Sequence, residues 1–178
     1  MLMHCLSLLE RHGVFAAGQE IAIFYKPQKV SSLIRIKSAD CSVFIPLKNP
    51  DAYVDILEME FDDIDNIGKE TVEEILEKGF TVFTPKHAAL IVDFFEKYEA
   101  YPLVTHCQAG LSRSPAVAVA FSYYKRDVAG YTSLKVEYAA ANILVLNELK
   151  AEIDRRAVSA GLDPFKTALS QTWTLDSA

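Results

Sequence analysis

The stretch His106-Cys107-Gln108-Ala109-Gly110-Leu111-Ser112-Arg113-Ser114 decides how the rest of the chain is read. Ahead of it, Leu103 to His106 is a brief run too apolar to be exposed and reads as a strand. Behind it, Ser114-Pro115 opens a helical pattern that runs through Lys125. A short loop between a buried strand and a helix N-terminus turns successive backbone N–H groups inward. The helix dipole adds positive potential, so the geometry suits an anion. Gly110 supplies the unusual φ or close approach that such winding needs. Arg113 offers a planar fork for two oxygens of one phosphate. The same field favours the thiolate of Cys107, the nucleophilic form of that side chain.

Working outward, Ile21 to Tyr25, Ser32 to Ile36 and Ser42 to Leu47 are short β-branched runs and read as strands. Asp55 to Phe61 alternates, with Leu57, Met59 and Phe61 on one face and Glu58 and Glu60 on the other, the pattern of a half-buried strand. Thr71 followed by Glu74 predicts a capping box, with Gly79 where that helix would end. Phe80 to Phe83 reads as a short apolar strand or connection. Thr84-Pro85 opens a helix to about Tyr98 whose Ile91, Phe94, Phe95 and Tyr98 form a core-facing stripe. From Thr132 the pattern is helical to about Ala157, with a break near Asn142. Strands first and helices after, with a strand-loop-helix unit between, predict one α/β domain over residues 1–178. Its core runs over about 20–158, with a C-terminal tail at 162–178. The expected sheet is mixed or mostly parallel and flanked by helices.

Composition agrees with one ordinary domain. The 178 residues are 51% hydrophobic and 24% charged, which excludes a disordered or low-complexity chain. Three cysteines are too few and too odd in number for a disulfide framework. The net charge of −6 argues against a broad nucleic-acid or anionic-membrane footprint, but not against one focused anion site. Met1 to Leu9 is apolar yet contains His4, lacks a basic start and runs into Glu10 and Arg11, unlike a secretory signal. The longest stretch free of Asp, Glu, Lys and Arg is Ala100 to Ser112, short of a membrane span. A cytoplasmic protein with reduced thiols is expected.

The nine residues HCQAGLSRS resemble the signature of the cysteine-dependent protein tyrosine phosphatases, and their AGLSRS half is similar to the dual-specificity branch. A looser resemblance extends over roughly Leu57 to Lys125. It implies a protein tyrosine phosphatase-like fold in which Cys107 attacks phosphorus to form a phosphocysteine. Backbone N–H groups of Gln108, Ala109, Gly110, Leu111 and Ser112, with the Arg113 side chain, would hold the transferring oxygens. His106 would steady the loop and thiolate and not act as a base, and Ser114 would help the thiolate leave. The resemblance implies no metal and no other cofactor. Substrates would be phosphorylated proteins or small phosphate esters, with no nucleic-acid or membrane partner. Phosphoinositide phosphatases of the superfamily usually carry lysines inside this loop, where Gln108 and Leu111 stand here. The rival in another class is a phosphate-binding module without turnover.

Such chemistry needs a proton donor for the leaving oxygen, in this family an aspartate after an upstream strand. Asp62, Asp63 and Asp65 are the candidates. Continuing the alternation of Leu57, Met59 and Phe61 turns Asp63 inward and leaves Asp62 outside with Glu58 and Glu60. The distance in sequence from this acidic run to Cys107 leaves room for an extra helix over Glu70 to Glu77.

Four other features have bland readings. His4-Cys5 with Arg11 also spells His-Cys, five residues, Arg, but has Leu8 in place of the glycine and Glu10 in the would-be cradle, so Cys5 reads as a packing residue. Lys26, Lys29, Arg35 and Lys37 form an acid-free basic stretch, expected to be a solvated rim rather than a lip that draws in substrate. Cys41 reads as core, and His87 as surface.

Overall fold

The computed structural model describes residues 8–65 and 71–165. Four strands, β1 Val14–Gly18, β2 Ser31–Lys37, β3 Tyr53–Glu60 and β4 Leu103–Cys107, form one sheet in the order β1-β4-β2-β3. Every neighbouring pair is parallel, so the sheet is wholly parallel. Strands buried on both faces are continuous apolar runs rather than alternating ones. The two central strands behave so: all five residues of β4 are buried, as are Ser31 to Ile36 of β2. Leu33, Ile34, Leu103 and Val104 have no exposed surface, and each contributes about 1.5–3 kcal/mol by leaving water.

Among the described residues the helices about this sheet include α1 Gln19–Ala22, α2 Val72–Glu77, α3 Pro85–Lys97, α4 Arg113–Tyr124, α5 Val128–Glu137 and α6 Ile143–Ser159. Residues 8–12 are also helical. α4 is buried along its whole length up to Tyr123, because it packs against β1, β4, α5 and α6 together. A helix apolar all round belongs at such a centre. Its Ala116, Ala118 and Ala120 let the neighbours approach closely. Among the described residues no helix is long and apolar enough to cross a membrane.

Several expected elements are present. Thr71 caps α2 through the predicted box: Glu74 N–H donates to Thr71 Oγ1 at 3.2 Å, and Thr71 N–H to Glu74 Oε2 at 2.7 Å. Gly79, at φ +83°, follows this helix. Ile91, Phe94 and Phe95 of α3 are buried as the stripe required. The break at Asn142 separates α5 from α6. There the Asn142 side chain accepts from Val145 N–H at 2.9 Å.

Others differ. Ile21 to Tyr25 is not a strand; the chain makes α1 and then a turn, and the strand lies earlier, at β1. Short apolar runs do not reveal by themselves which element they form. Here Gln19 N–H is drawn to Gln108 O at 3.1 Å, which turns the chain out of the sheet. The buried core accordingly takes in Leu8 and Val14 to Ala17, ahead of the expected start at about residue 20. Ser42 to Leu47 is irregular: side chains rather than a neighbouring strand use the carbonyls here, the Arg35 guanidinium taking Ile45 O and Lys37 Nζ taking Cys41 O just ahead of the segment at 2.7 Å. Cys41 is therefore half-buried in a loop, not core. α5 begins at Val128 rather than Thr132, because the Asp127 carboxylate accepts from Gly130 N–H at 2.9 Å and caps the helix earlier. His87 is half-buried beside the rings of Phe61 and Phe83, at 5.8 and 5.5 Å. His4, Cys5 and the C-terminal tail from residue 166 lie outside the described residues.

In a wholly parallel sheet the carboxyl ends of all strands share one edge, where crevices for ligands form. Four connections meet at that edge here: Gly18-Gln19 after β1, Ser38 after β2, Phe61 to Asp65 after β3, and Gln108 to Ser112 after β4.

Candidate active site

The loop after β4 is built on two glycines set back to back. Gly110 has φ +74°, and a Cβ added there would lie 2.2 Å from Gly18 N and 2.4 Å from Ala17 C. Gly18 in turn has room for no side chain, since its Cβ would stand 2.9 Å from Ala109 O. This contact lets the loop curl over its own first residue. Gly110 N–H points at Cys107 Sγ at 3.3 Å, and Ser114 Oγ lies 3.3 Å from the same sulfur. Ser114 is also 3.4 Å from Ala17 O. Cys107 itself is 2% exposed, a sulfur at the bottom of a bowl whose wall is the N-terminus of α4.

Arg113 is 4% exposed. One of its terminal nitrogens donates to Phe61 O and to Ser38 Oγ, each at 2.8 Å, while its Nε is buried without a hydrogen bond and stands 3.9 Å from Asp63 Oδ2. A buried guanidinium with an unused donor at the rim of an N–H-rich loop suits an oxyanion. The Ser112 side chain does not cap α4; it reaches out and donates to Asp63 Oδ1 at 2.6 Å. Leu111 exposes 68% of its surface. A groove of about 230 Å³ runs from it past Gly110 and Gly18 to Tyr138.

The three aspartates have three different surroundings. Asp62 is buried: its carboxylate accepts from Ala39 N–H at 3.2 Å and from Thr81 N–H at 2.7 Å. It is tied into the fold and does not stand outside with Glu58 and Glu60. The alternation stops at the end of β3, where backbone donors from two other segments capture this side chain. Asp63 is exposed and turned over the anion loop, beside Ser112 and Arg113. Asp65 Oδ1 accepts from Ile143 N–H in the first turn of α6.

Asn142 joins these parts and was not singled out for the site from the sequence. It has no exposed surface. Its amide donates to Asp63 Oδ1 at 2.9 Å and to Ile64 O at 3.1 Å, while its backbone N–H donates to Ser112 O at 3.0 Å. One residue thus fastens the acidic loop, the anion loop and α6 together. The helix break at Asn142 was the only local trace of it.

His106 lies beneath the loop with no exposed surface. Its Nε2 accepts from Arg35 Nε at 3.2 Å. Burial, with the Arg35 charge beside it, brings its pKa down to about 4, a backbone contact at Cys107 opposing. The ring is neutral at working pH. Arg35 is therefore not on a solvated rim: it is 4% exposed, paired with Glu58 at 2.8 Å and packed 5.0 Å from the Phe44 ring. Lys37 is likewise engaged, at 2.5 Å from Glu60. Of the basic stretch only Lys26 and Lys29 are exposed.

No protein-family model and no characterised protein sequence matches this chain. Several solved structures are similar in chain path. The human tyrosine phosphatase-like serine/threonine/tyrosine-interacting protein is 14% identical over 83% of this chain and 93% of its own, with a TM-score of 0.49. PTPMT1 in complex with PI(5)P is 18% identical over 74% of this chain and 81% of its own, at 0.48. A mouse dual specificity phosphatase complexed with zinc tungstate is 16% identical over 84% and 87%, at 0.48.

Proposed function

We propose that the protein hydrolyses phosphate monoesters, above all protein phosphotyrosine with phosphoserine and phosphothreonine as further substrates, through a phosphocysteine on Cys107. The observation that carries this reading is the sulfur of Cys107 enclosed by Gly110 N–H and Ser114 Oγ under a loop that ends at the buried Arg113. In the first step Cys107 attacks phosphorus, while the loop N–H groups and Arg113 take up charge spread over the equatorial oxygens. Asp63 gives its proton to the departing alkoxide or phenoxide oxygen. In the second step the same carboxylate takes a proton from the attacking water. Ser114, at hydrogen-bond reach of the sulfur, stabilises the departing thiolate. His106 takes no proton; it is buried with its lone pair committed to Arg35.

A peptide substrate fits the rim better than a polyanionic headgroup. Arg35 and Lys37 are each held by a glutamate, and Leu111 presents an apolar surface at the loop. The test is hydrolysis of an aryl phosphate and a phosphotyrosine peptide by wild type, Cys107→Ser and Asp63→Asn. Cys107→Ser should abolish turnover and keep binding. Asp63→Asn should lower turnover on poor leaving groups by about 100-fold or more and spare an activated one. Equal inertness of wild type and Cys107→Ser, with peptide binding by both, would make the protein a binding module instead.

A further inference from the structure

The mechanism above uses every polar group that touches the sulfur, but leaves a buried charge under the loop, Arg35, without a task. Arg35 sits in β2 directly across from His106 of β4 in the parallel register. It reaches under the anion loop from the strand next door. A guanidinium has only donors. Its Nε–H can approach His106 Nε2 at 3.2 Å only if that nitrogen presents a lone pair. The neutral ring then carries its hydrogen on Nδ1, which is buried and without a well-formed hydrogen bond, while the Cys107 backbone also acts on the ring.

We propose that Arg35 is a positioning residue: it locks His106 as the imidazole protonated on Nδ1, and that fixed ring holds the root of the anion loop at Cys107. The inference rests on the phosphatase reading for its consequence in turnover, but not for the state of the ring. Arg35 is itself held from three sides. Glu58 of β3 pairs with it, Ile45 O accepts from its other terminal nitrogen, and the Phe44 ring covers it. Tyr53 of β3 also feels its charge. On the other side of the loop root stand Arg113 from α4 and Asp63 from the acidic loop, 3.9 Å apart. None of these, among the described residues, can replace the donor at Nε2, so the tautomer depends on Arg35 alone.

Long-range ¹H–¹⁵N spectra of the labelled full chain read this state directly. In wild type the His106 ring should show one protonated nitrogen, Nδ1, unchanged from about pH 8 to about pH 5. In Arg35→Met the fixed tautomer should be lost, and kcat on an aryl phosphate should fall about tenfold or more with little change in KM. Arg35→Lys restores a donor and should recover the Nδ1–H signature and much of kcat. Glu58→Gln, which leaves the donor in place, should keep the signature. A wild-type ring that is charged or protonated on Nε2 at neutral pH overturns the proposal, and so does Arg35→Met with an unchanged signature and kcat. Should Arg35→Met not fold, the wild-type ring and Arg35→Lys decide the matter. A wild type with the expected ring but no turnover would sink the phosphatase reading and leave the ring assignment standing.

Discussion

Two of the four connections at the carboxyl edge of the sheet, those after β4 and after β3, are built in opposite ways. The loop after β4 is made by backbone: a positive φ at Gly110, a Gly18 with no room for a side chain, and the Gly110 N–H turned toward Cys107 Sγ. The acidic loop after β3 is made by side chains from elsewhere. Asp62 is caught by Ala39 and Thr81, and Asp63 is held by Ser112 and Asn142. A backbone-built loop should fail all at once when its geometry is denied. A loop held by side chains should loosen by degrees.

Three experiments sharpen that contrast. Gly110→Ala should have the largest effect, because the new Cβ would strike the backbone of Gly18 and Ala17 and the residue would be left at φ +74°. Loss of both turnover and tungstate binding by calorimetry is expected; retention of binding would show that the loop tolerates another path. The next tests the root of the same loop through pH. His106 titrates at about 4 in the folded protein against an ordinary 6.5 when unfolded. The unfolded state therefore takes up the proton first. Stability is fully present above about pH 6.5 and is lost as pH falls toward 4, by roughly 3 kcal/mol in all. Urea denaturation across this range should show that slope, and His106→Asn should flatten it. Smallest is Asn142→Ala, which frees Asp63 and Ile64 but leaves the anion loop intact. Turnover on a poor leaving group should drop by about tenfold, with tungstate affinity nearly unchanged and stability lower by about 1–2 kcal/mol. Equal losses of turnover and tungstate affinity would mean the two loops are one cooperative unit.

The same contrast explains what could be read from residues alone. The strand, loop and α4 were legible because their own signals are local, an apolar run, a glycine at the turn and Ser-Pro at the helix start, whereas the part of Gly18 in the loop was not. The α2 box and the α3 stripe were legible for that reason too. β1 was not, because Ala16 and Ala17 carry little strand preference and the segment is fixed by distant partners, β4, the helix after it and the Tyr138 hydroxyl. Alternation along β3 puts Asp63 inward and Asp62 outside, and the structure reverses both: Asp62 is buried by Ala39 and Thr81, and Asp63 is exposed and reaches Ser112 and Asn142 instead. Arg35 and Asn142 had no local signature of a place in the site: one stands in a basic stretch and the other at a helix break. Their partners are His106 and Asp63, 71 and 79 residues away in the chain. Side chains whose meaning lies in such distant contacts look like an ordinary basic residue and an ordinary helix cap.

The glycine pair also sets the order in which the molecule can be made. Among the described residues β4 is the strand beside β1, and it leaves the ribosome long afterwards, so Gly18 waits for Gly110 while about half of the chain is synthesised. Such distant pairing slows folding. A nascent chain stalled before β4 would hold an apolar strand with nothing to pair with, and the bowl around Cys107 could not close until α4 had emerged.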